Sequence, residues 1–152
     1  MRILKIKQFI VIGISVRTSN EAGKAAVDIP ALWNTFLSEE IAAKIPHKLS
    51  DSIYCIYTDY EKDHTKPYTT ILGCKVESLE NIPVGMMGKI IEEGSYTNHI
   101  AKGNLLQGIV FNEWTRIWNS TTDRAFTADY EVYDERAKNP ENAEVDIFVA
   151  VK

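Results

Sequence analysis

The spacing of apolar and polar residues along the chain predicts a mixture of strands and helices. Residues 3–17 are rich in β-branched side chains, which favours a first strand. From residue 29 onward apolar side chains recur at helical spacing, and Asp28 and Pro30 suit the N-cap and first turn of a helix. This helix is predicted to end near Ala43, shortly before the next proline.

The rest of the chain continues with strand-like and helix-like patterns, which turn-rich or polar segments separate. The predicted strands cover 52–58, 68–78, 86–103, 126–135 and 145–152, and the second main helix covers 104–119. The element order is therefore β-α-β-β followed by β-α-β-β. This order predicts an α+β fold with antiparallel sheets and two main helices.

Two halves of the chain resemble each other. Shifting the sequence by half of its 152 residues places Tyr54–Tyr57 on Tyr130–Tyr133. The helices match at a slightly different offset, with Trp33 falling on Trp114. These ordered matches predict two similar halves about a pseudo-twofold axis, with a central groove where they meet. Two unrelated α+β segments are the alternative. The predicted single domain covers 1–152, with halves at about 1–78 and 79–152.

Composition narrows the class of protein further. With 45% hydrophobic and 25% charged residues, the chain is typical of globular domains. A net charge of -4 and the lack of a dense Lys/Arg cluster argue against direct nucleic-acid binding. The longest apolar run, FIVIGISV, is too short to span a bilayer, and no signal-peptide pattern is present. We therefore expect a cytoplasmic protein without a membrane partner.

The sequence gives little support for metal or cofactor chemistry. Cys55 and Cys74 lack metal-type spacing, and the three histidines have no ligand-like partners nearby. Neither a glycine-rich phosphate loop nor a nucleophile elbow is present. We expect no metal and no cofactor, and we interpret both cysteines as small buried hydrophobic residues.

The segment FTADYEVYDE sets a carboxylate between two tyrosines on a predicted strand. Side chains alternate along a strand, so Glu131 shares one face with Asp129 and Tyr133. In the other half, Cys55 and Tyr57 occupy the corresponding face, and both prefer shelter from water. Two alternatives stay open for Glu131: it faces bulk solvent, or it faces the groove and meets a positively charged ligand.

A second carboxylate, Glu113, lies on the apolar face of the second main helix, and Trp114 and Trp118 border that face. A glutamate among apolar residues is costly unless it is paired or solvated. One alternative is therefore an ion pair with Arg116 or Lys102, or a side chain that extends outward to water. The other is a groove carboxylate beside the indole rings.

A carboxylate among tryptophan and tyrosine rings is the arrangement expected for an organic cation. The rings supply cation–π attraction and apolar contact, and the carboxylate supplies the opposite charge in a low dielectric. The two glutamates could instead act as acid and base in a small hydrolase, provided that they face one cavity.

The runs DIPALWNTF, IYCIYTDYEKD, YTTILGCKVESLENIP, NEWTRIW and ADYEVYDE together resemble the GyrI-like family, also called AraC-type or bacterial transcription-activator effector-binding domains. The early run VIGISVRTSN is most similar to integron-cassette-associated members. The resemblance implies two β-α-β-β units about a pseudo-twofold axis and an aromatic groove that binds lipophilic cations. It also implies that Glu131 is the acidic residue of the groove, with aromatic contacts from Trp33, Tyr57, Trp114 and Tyr133.

We therefore predict a binding protein for a small lipophilic, cationic molecule. Many relatives carry a helix-turn-helix region for which this chain has no room. We thus expect a ligand sensor, a sequestering protein or a transcription-related regulator without its own DNA-binding domain. A small hydrolase that uses a groove glutamate as general base, and a module that receives a protein partner or forms a homodimer, are the alternatives. The predicted ligand-binding residues are Glu131, Glu113, Tyr57, Tyr133, Trp33, Trp114, Trp118 and Phe36.

Overall fold

The computed structural model describes residues 2–120 and 122–152, which form one antiparallel sheet with helices packed on it. The strands of the sheet are β1 (Ile3–Ile6), β2 (Phe9–Thr18), β3 (Ile53–Thr58), β4 (Tyr68–Val76), β5 (Met87–Ile91), β6 (Gly94–Gly103), β7 (Ala128–Tyr133) and β8 (Ala143–Val151). The α-helices are α1 (Lys24–Ser38), α2 (Ile41–Lys44) and α3 (Ile109–Trp118). Short 3₁₀ turns occupy Glu21–Gly23, Leu105–Gln107, Glu135–Ala137 and Pro140–Asn142.

The strand order β1-β6-β8-β7-β3-β4-β2-β5 is symmetric about its centre. Counted inward from the two ends, β1 corresponds to β5, β6 to β2, β8 to β4 and β7 to β3. This arrangement confirms the predicted α+β class and the pseudo-twofold relation between the halves. The axis lies between the two central strands, β3 and β7, which pair with each other.

One rung of the central strand pair lies on the axis itself. Cys55 on β3 pairs with Glu131 on β7, and the two positions differ by half of the 152-residue length. Each residue is therefore the counterpart of the other in the repeat, and both halves contribute to the surroundings of Glu131. Cys55 and Cys74 are both buried and free, as predicted.

Each half contains one strand more than the sequence pattern predicts. The run over 3–17 divides at Lys7 and Gln8 into β1 and β2, and the run over 86–103 divides into β5 and β6. The extra strands pair across the halves, β1 with β6 and β5 with β2. The break between β1 and β2 is not visible in the local pattern, because only two exposed polar residues separate the two apolar runs. Strand pairing also depends on residues that are distant in the sequence, which a local pattern does not contain.

Helix α1 begins earlier than predicted. Its N-cap is Gly23, with a φ of 71°, and Asp28 lies inside the helix instead of capping it. Glycine serves as an N-cap almost as well as a polar side chain, which explains why the acidic residue is not needed there. Pro30 is also interior, the helix ends at Ser38, and the predicted continuation forms the separate helix α2. None of the described helices is long and apolar enough to cross a membrane.

The sheet is strongly curled. The ring centroids of Phe9 on β2 and Tyr130 on β7 are 5.3 Å apart, although these strands are three positions apart in the sheet. In a flat sheet that separation would be about 14 Å. The curled face encloses a buried core that includes Val11, Ile56 and Ile71, and the opposite face carries the helices.

Helices α1 and α3 cover different halves of the sheet. Leu32 and Phe36 of α1 join a buried cluster with residues of β2 and β4. Trp114 and Ile117 of α3 join a second cluster with residues of β6 and β8. The central strands β3 and β7 run between these two clusters, so a cavity can form between the helices.

Candidate functional site

A cavity of about 570 Å³ lies where the two halves meet. Helix α1 contributes Trp33, and helix α3 contributes Trp114. The central strands contribute Tyr57, Glu131 and Tyr133. This volume falls within the range of small-molecule sites, which are concave and mostly apolar with a few well-placed polar groups.

Glu131 is 2% exposed and accepts three hydrogen bonds at the floor of this cavity. The Tyr57 hydroxyl and the Trp114 Nε1 each donate to Oε2 at 2.7 Å. The Tyr133 hydroxyl donates to Oε1 at 2.6 Å. These donors come from β3, α3 and β7, so the folded state holds the carboxylate in one position.

The hydrogen-bond donors to Glu131 are neutral groups, so they do not cancel the negative charge of its carboxylate. Burial raises the pKa of the Glu131 carboxyl above its ordinary value, and the hydrogen bonds from Tyr133, Tyr57 and Trp114 partly oppose that rise. Burial also raises the pKa of both tyrosines, so they remain protonated donors near neutral pH. No ion pair to Glu131 is present among the residues that the structure describes.

Aromatic rings surround the carboxylate on several sides. Trp33 and Tyr133 meet edge to face with their centroids 4.8 Å apart, and Tyr57 meets Trp114 in the same way at 5.6 Å. Trp118 continues the surface, 6.5 Å from the Trp114 ring. Edge-to-face contacts fix ring orientation. The walls around Glu131 are therefore formed by aromatic rings that pack against one another.

A second carboxylate, Asp129, lies on the same face of β7 but is compensated within the protein. It is fully buried and accepts from Arg124 Nη2 at 2.7 Å. It also accepts from the Tyr60 hydroxyl at 2.5 Å and from the backbone N–H of Ala150 at 2.8 Å. Unlike Glu131, Asp129 thus has a cationic partner among the described residues.

Arg124 and His64 line one end of the cavity next to this pair. The Arg124 guanidinium lies 4.3 Å from the Phe126 ring centroid and 5.8 Å from that of Trp114. We call Arg124, His64, Tyr60 and Asp129 the arginine corner. It gives the cavity a polar end distinct from the floor at Glu131.

Six of the eight residues predicted to bind ligand line the cavity: Glu131, Tyr57, Tyr133, Trp33, Trp114 and Trp118. Phe36 does not, because it points into the core between α1 and the sheet and is 1% exposed. Phe36 does lie on the apolar face of α1, as its spacing from Trp33 predicts. Only part of that face lines the cavity, and the part with Phe36 packs against the sheet.

Glu113 also lies outside the cavity. It forms an ion pair, which was the first of the two alternatives. Its Oε1 accepts from Arg116 Nη1 at 2.5 Å, and its Oε2 is 3.9 Å from His99 Nδ1. The structure therefore does not bring Glu113 and Glu131 together as an acid and base facing one cavity.

The arginine corner was not found from the sequence. Arg124 and His64 lie in connecting segments, where side-chain periodicity carries no information. The available hint was Asp129, an acid on the same strand face as Glu131. A second buried acid requires a cation, and that requirement alone does not say which one.

Comparison with known proteins gives a consistent set of matches. The Cass2 profile, described as integron-associated effector binding protein, matches residues 2–151. The integron cassette protein VCH_CASS2 of Vibrio cholerae is 30% identical, with a TM-score of 0.77 over 99% of this chain and 95% of that one. YobU of Bacillus subtilis (strain 168), named as a candidate transcriptional regulator, is 32% identical over 155 residues, which cover 98% of this chain and 94% of YobU.

A more distant structural match is SAV2435, whose structure was solved bound to tetraphenylphosphonium. It has a TM-score of 0.81 and covers 99% of this chain and 93% of its own, at 14% identity. At that identity the match concerns the fold.

Proposed function

The chain belongs to the Cass2 family of integron-associated effector-binding proteins, and on that basis we propose that its cavity binds a lipophilic organic cation. The observation that carries this proposal is Glu131. Its carboxylate is buried on the cavity floor, it is held by neutral donors, and it is walled by aromatic rings.

The energetics of the floor favour a positively charged occupant. A buried carboxylate loses its hydration, and neutral hydrogen bonds replace only part of that loss. A cation placed nearby in a low dielectric stabilises the ionised form. Ring faces attract the same charge and remove the apolar body of the ligand from water. A neutral ligand gains only the removal of its apolar surface from water.

We further propose that the ligand is an effector, so that the protein acts as a sensor or as a sequestering protein. The effector-binding family and the candidate-regulator name of YobU support this role. The tetraphenylphosphonium in SAV2435 guides the choice of probe.

A titration with two ions of matched shape tests the proposal. Tetraphenylphosphonium and tetraphenylborate share their four rings and differ in the sign of the charge. Because Trp33, Trp114 and Trp118 line the cavity, intrinsic fluorescence should report binding. We expect saturable binding of one phosphonium per chain and an affinity for the borate that is weaker by roughly tenfold or more. Equal affinity for the two ions would show that Glu131 does not select charge.

Binding of tetraphenylphosphonium should strengthen as the pH rises. The ligand does not titrate, whereas burial raises the pKa of Glu131 above its ordinary value. A bound cation favours the carboxylate and so lowers that pKa, which releases a proton. Affinity should therefore be lowest in acid and level off once the pH exceeds the raised pKa of the unliganded protein. Isothermal titration calorimetry in buffers of different ionisation enthalpy measures the proton release.

His64 is the control for this pH dependence. Burial and nearby Arg124 lower its pKa, so its protonation in acid would add repulsion in the same direction. A His64→Phe variant removes that contribution while keeping an aromatic ring. If the pH dependence disappears with His64→Phe and persists with Glu131→Gln, the assignment to Glu131 is wrong.

A further inference from the structure

We propose that the arginine corner is a second subsite, which binds a hydrogen-bond-accepting group carried by the same ligand. The effector would then be a lipophilic cation with a carbonyl, carboxylate or similar acceptor a few bonds from its charge. This inference rests on the proposed function and narrows its ligand class.

The guanidinium of Arg124 has more donors than the protein uses. Of its five N–H groups, one on Nη2 bonds Asp129 at 2.7 Å. Nη1 makes a long contact of 3.4 Å with His64 Nδ1, and Nε has no acceptor among the described residues. Arg124 is 7% exposed and still forms part of the cavity wall. Nε is closed to the cavity, so an acceptor on the ligand would meet Nη1 or Nη2, and Nη1 has only the long contact with His64 among the described residues. A hydrogen bond to a charged guanidinium is stronger than a neutral one, which favours such an acceptor.

His64 adds a donor on the same side. Its Nδ1 faces the Arg124 guanidinium, which can only donate, so Nδ1 must be the accepting nitrogen and Nε2 carries the proton. The ring stacks on Trp118 with centroids 5.6 Å apart and planes 7° from parallel, which fixes its orientation. Arg124 and His64, which both line this end of the cavity, therefore both carry N–H groups.

The carboxylate of the corner already has several donors. Asp129 accepts from Arg124, Tyr60 and the Ala150 backbone. Further along the wall, the Asn20 carbonyl oxygen accepts from the Tyr68 hydroxyl at 2.6 Å. The carboxylate of the corner is thus satisfied within the protein, whereas the N–H groups of Arg124 are only partly matched by acceptors.

The two subsites are close enough for one small ligand. Asp129 and Glu131 are two residues apart on one face of β7, which is about 6.6 Å along the strand. Trp114 connects them, because its indole donates to Glu131 and its ring lies 5.8 Å from the Arg124 guanidinium carbon. Arg124 and Asp129 cancel each other's charge, so the corner does not repel a cation bound at Glu131.

Three triphenylphosphonium ions that differ only in their alkyl end test this inference. They are pentyltriphenylphosphonium, which has no acceptor, (carboxybutyl)triphenylphosphonium, and the methyl ester of the latter. We expect both acceptor-bearing ions to bind the wild-type protein more tightly than the pentyl ion, by roughly tenfold for the carboxylate. Equal or weaker binding of both acceptor-bearing ions would overturn the proposal.

Two conservative variants locate the effect. Arg124→Lys keeps a positive charge for Asp129 but loses the planar fork, and His64→Phe keeps the stacking on Trp118 but loses the N–H. Each should reduce the ratio of the carboxylate affinity to the pentyl affinity, measured on the same variant, to about threefold or less. A preference unchanged in both variants contradicts the subsite.

The same series separates the two proposals. If no phosphonium ion binds, the proposed function fails. If all three bind equally well and Glu131→Gln weakens all of them alike, cation binding stands and only the acceptor subsite is wrong.

Discussion

Replacing Glu131 with glutamine is expected to weaken tetraphenylphosphonium binding by roughly tenfold or more, while binding of tetraphenylborate stays the same or improves. The variant keeps the shape of the side chain and one oxygen for the donors around it. It loses the negative charge, and opposite unit charges about 6–8 Å apart attract by about 2–3 kcal/mol at an effective dielectric constant of about 20. Since 1.4 kcal/mol corresponds to a tenfold change, the expected loss follows directly. Fluorescence titration of both ions against both proteins measures it.

Glu113→Gln is the matched control for this experiment. Glu113 lies outside the cavity and pairs with Arg116, so its replacement should leave both affinities unchanged within about twofold. If Glu113→Gln weakens the phosphonium as much as Glu131→Gln does, the loss reflects net charge and not the cavity floor.

The stability of Glu131→Gln distinguishes loss of a ligand contact from loss of fold. The pKa of Glu131 is higher in the folded protein than in the unfolded chain because the carboxyl is buried. The stability that protonated Glu131 contributes is therefore present at low pH and is lost as the pH rises through the folded pKa. Glutamine has no such loss. The variant should melt at the same or a higher temperature than the wild type at pH 8, and a lower melting temperature would contradict this account.

Asp129→Ala is expected to destabilise the protein by about 3–5 kcal/mol, because it leaves Arg124 as an uncompensated buried charge. Arg124 is 7% exposed, so water cannot readily replace the missing carboxylate. The substitution also removes the acceptor for the Tyr60 hydroxyl and the Ala150 N–H. Urea unfolding followed by circular dichroism gives the free energy of unfolding for comparison.

A double variant tests whether charge or packing causes this loss. Arg124→Met together with Asp129→Asn removes both charges and keeps an oxygen for the Ala150 N–H. Replacing both partners of a buried pair is often close to neutral. We therefore expect the double variant to be clearly more stable than Asp129→Ala. Equal destabilisation of the two proteins would mean that the ion pair is not the reason.

The sequence contained enough information to predict the floor of the cavity. Alternation along β7 places Glu131 and Tyr133 on one face, and the repeat places Tyr57 beside them; all three line the cavity. Successive side chains of a strand point to opposite faces of the sheet, whatever surrounds the strand. Pairing of the matched strands β3 and β7 at the axis then brings the two sets together.

Other parts could not be predicted because they depend on distant residues. The strands β1 and β5 exist as separate elements through pairing with the opposite half. Arg124 and His64 approach the cavity through loops, whose course no local pattern specifies. Glu113 shares the apolar face of α3 by angle, yet it lies beside Arg116 and His99 and outside the cavity. In each case the strand boundary, the course of the loop or the position of the side chain depends on tertiary contacts, which a local sequence pattern does not specify.

The position of Glu131 on the axis limits how alike the two halves can be. An identical second half would set a glutamate in place of Cys55, and two carboxylates would face each other across one rung at a Cα distance of about 5 Å. Like charges placed directly opposite repel, and one of them would have to keep its proton. An internally duplicated protein of this kind must therefore diverge at its centre in order to present one negative charge. A nearly symmetric scaffold thus presents a single negative charge at its centre, from the half that carries the acid.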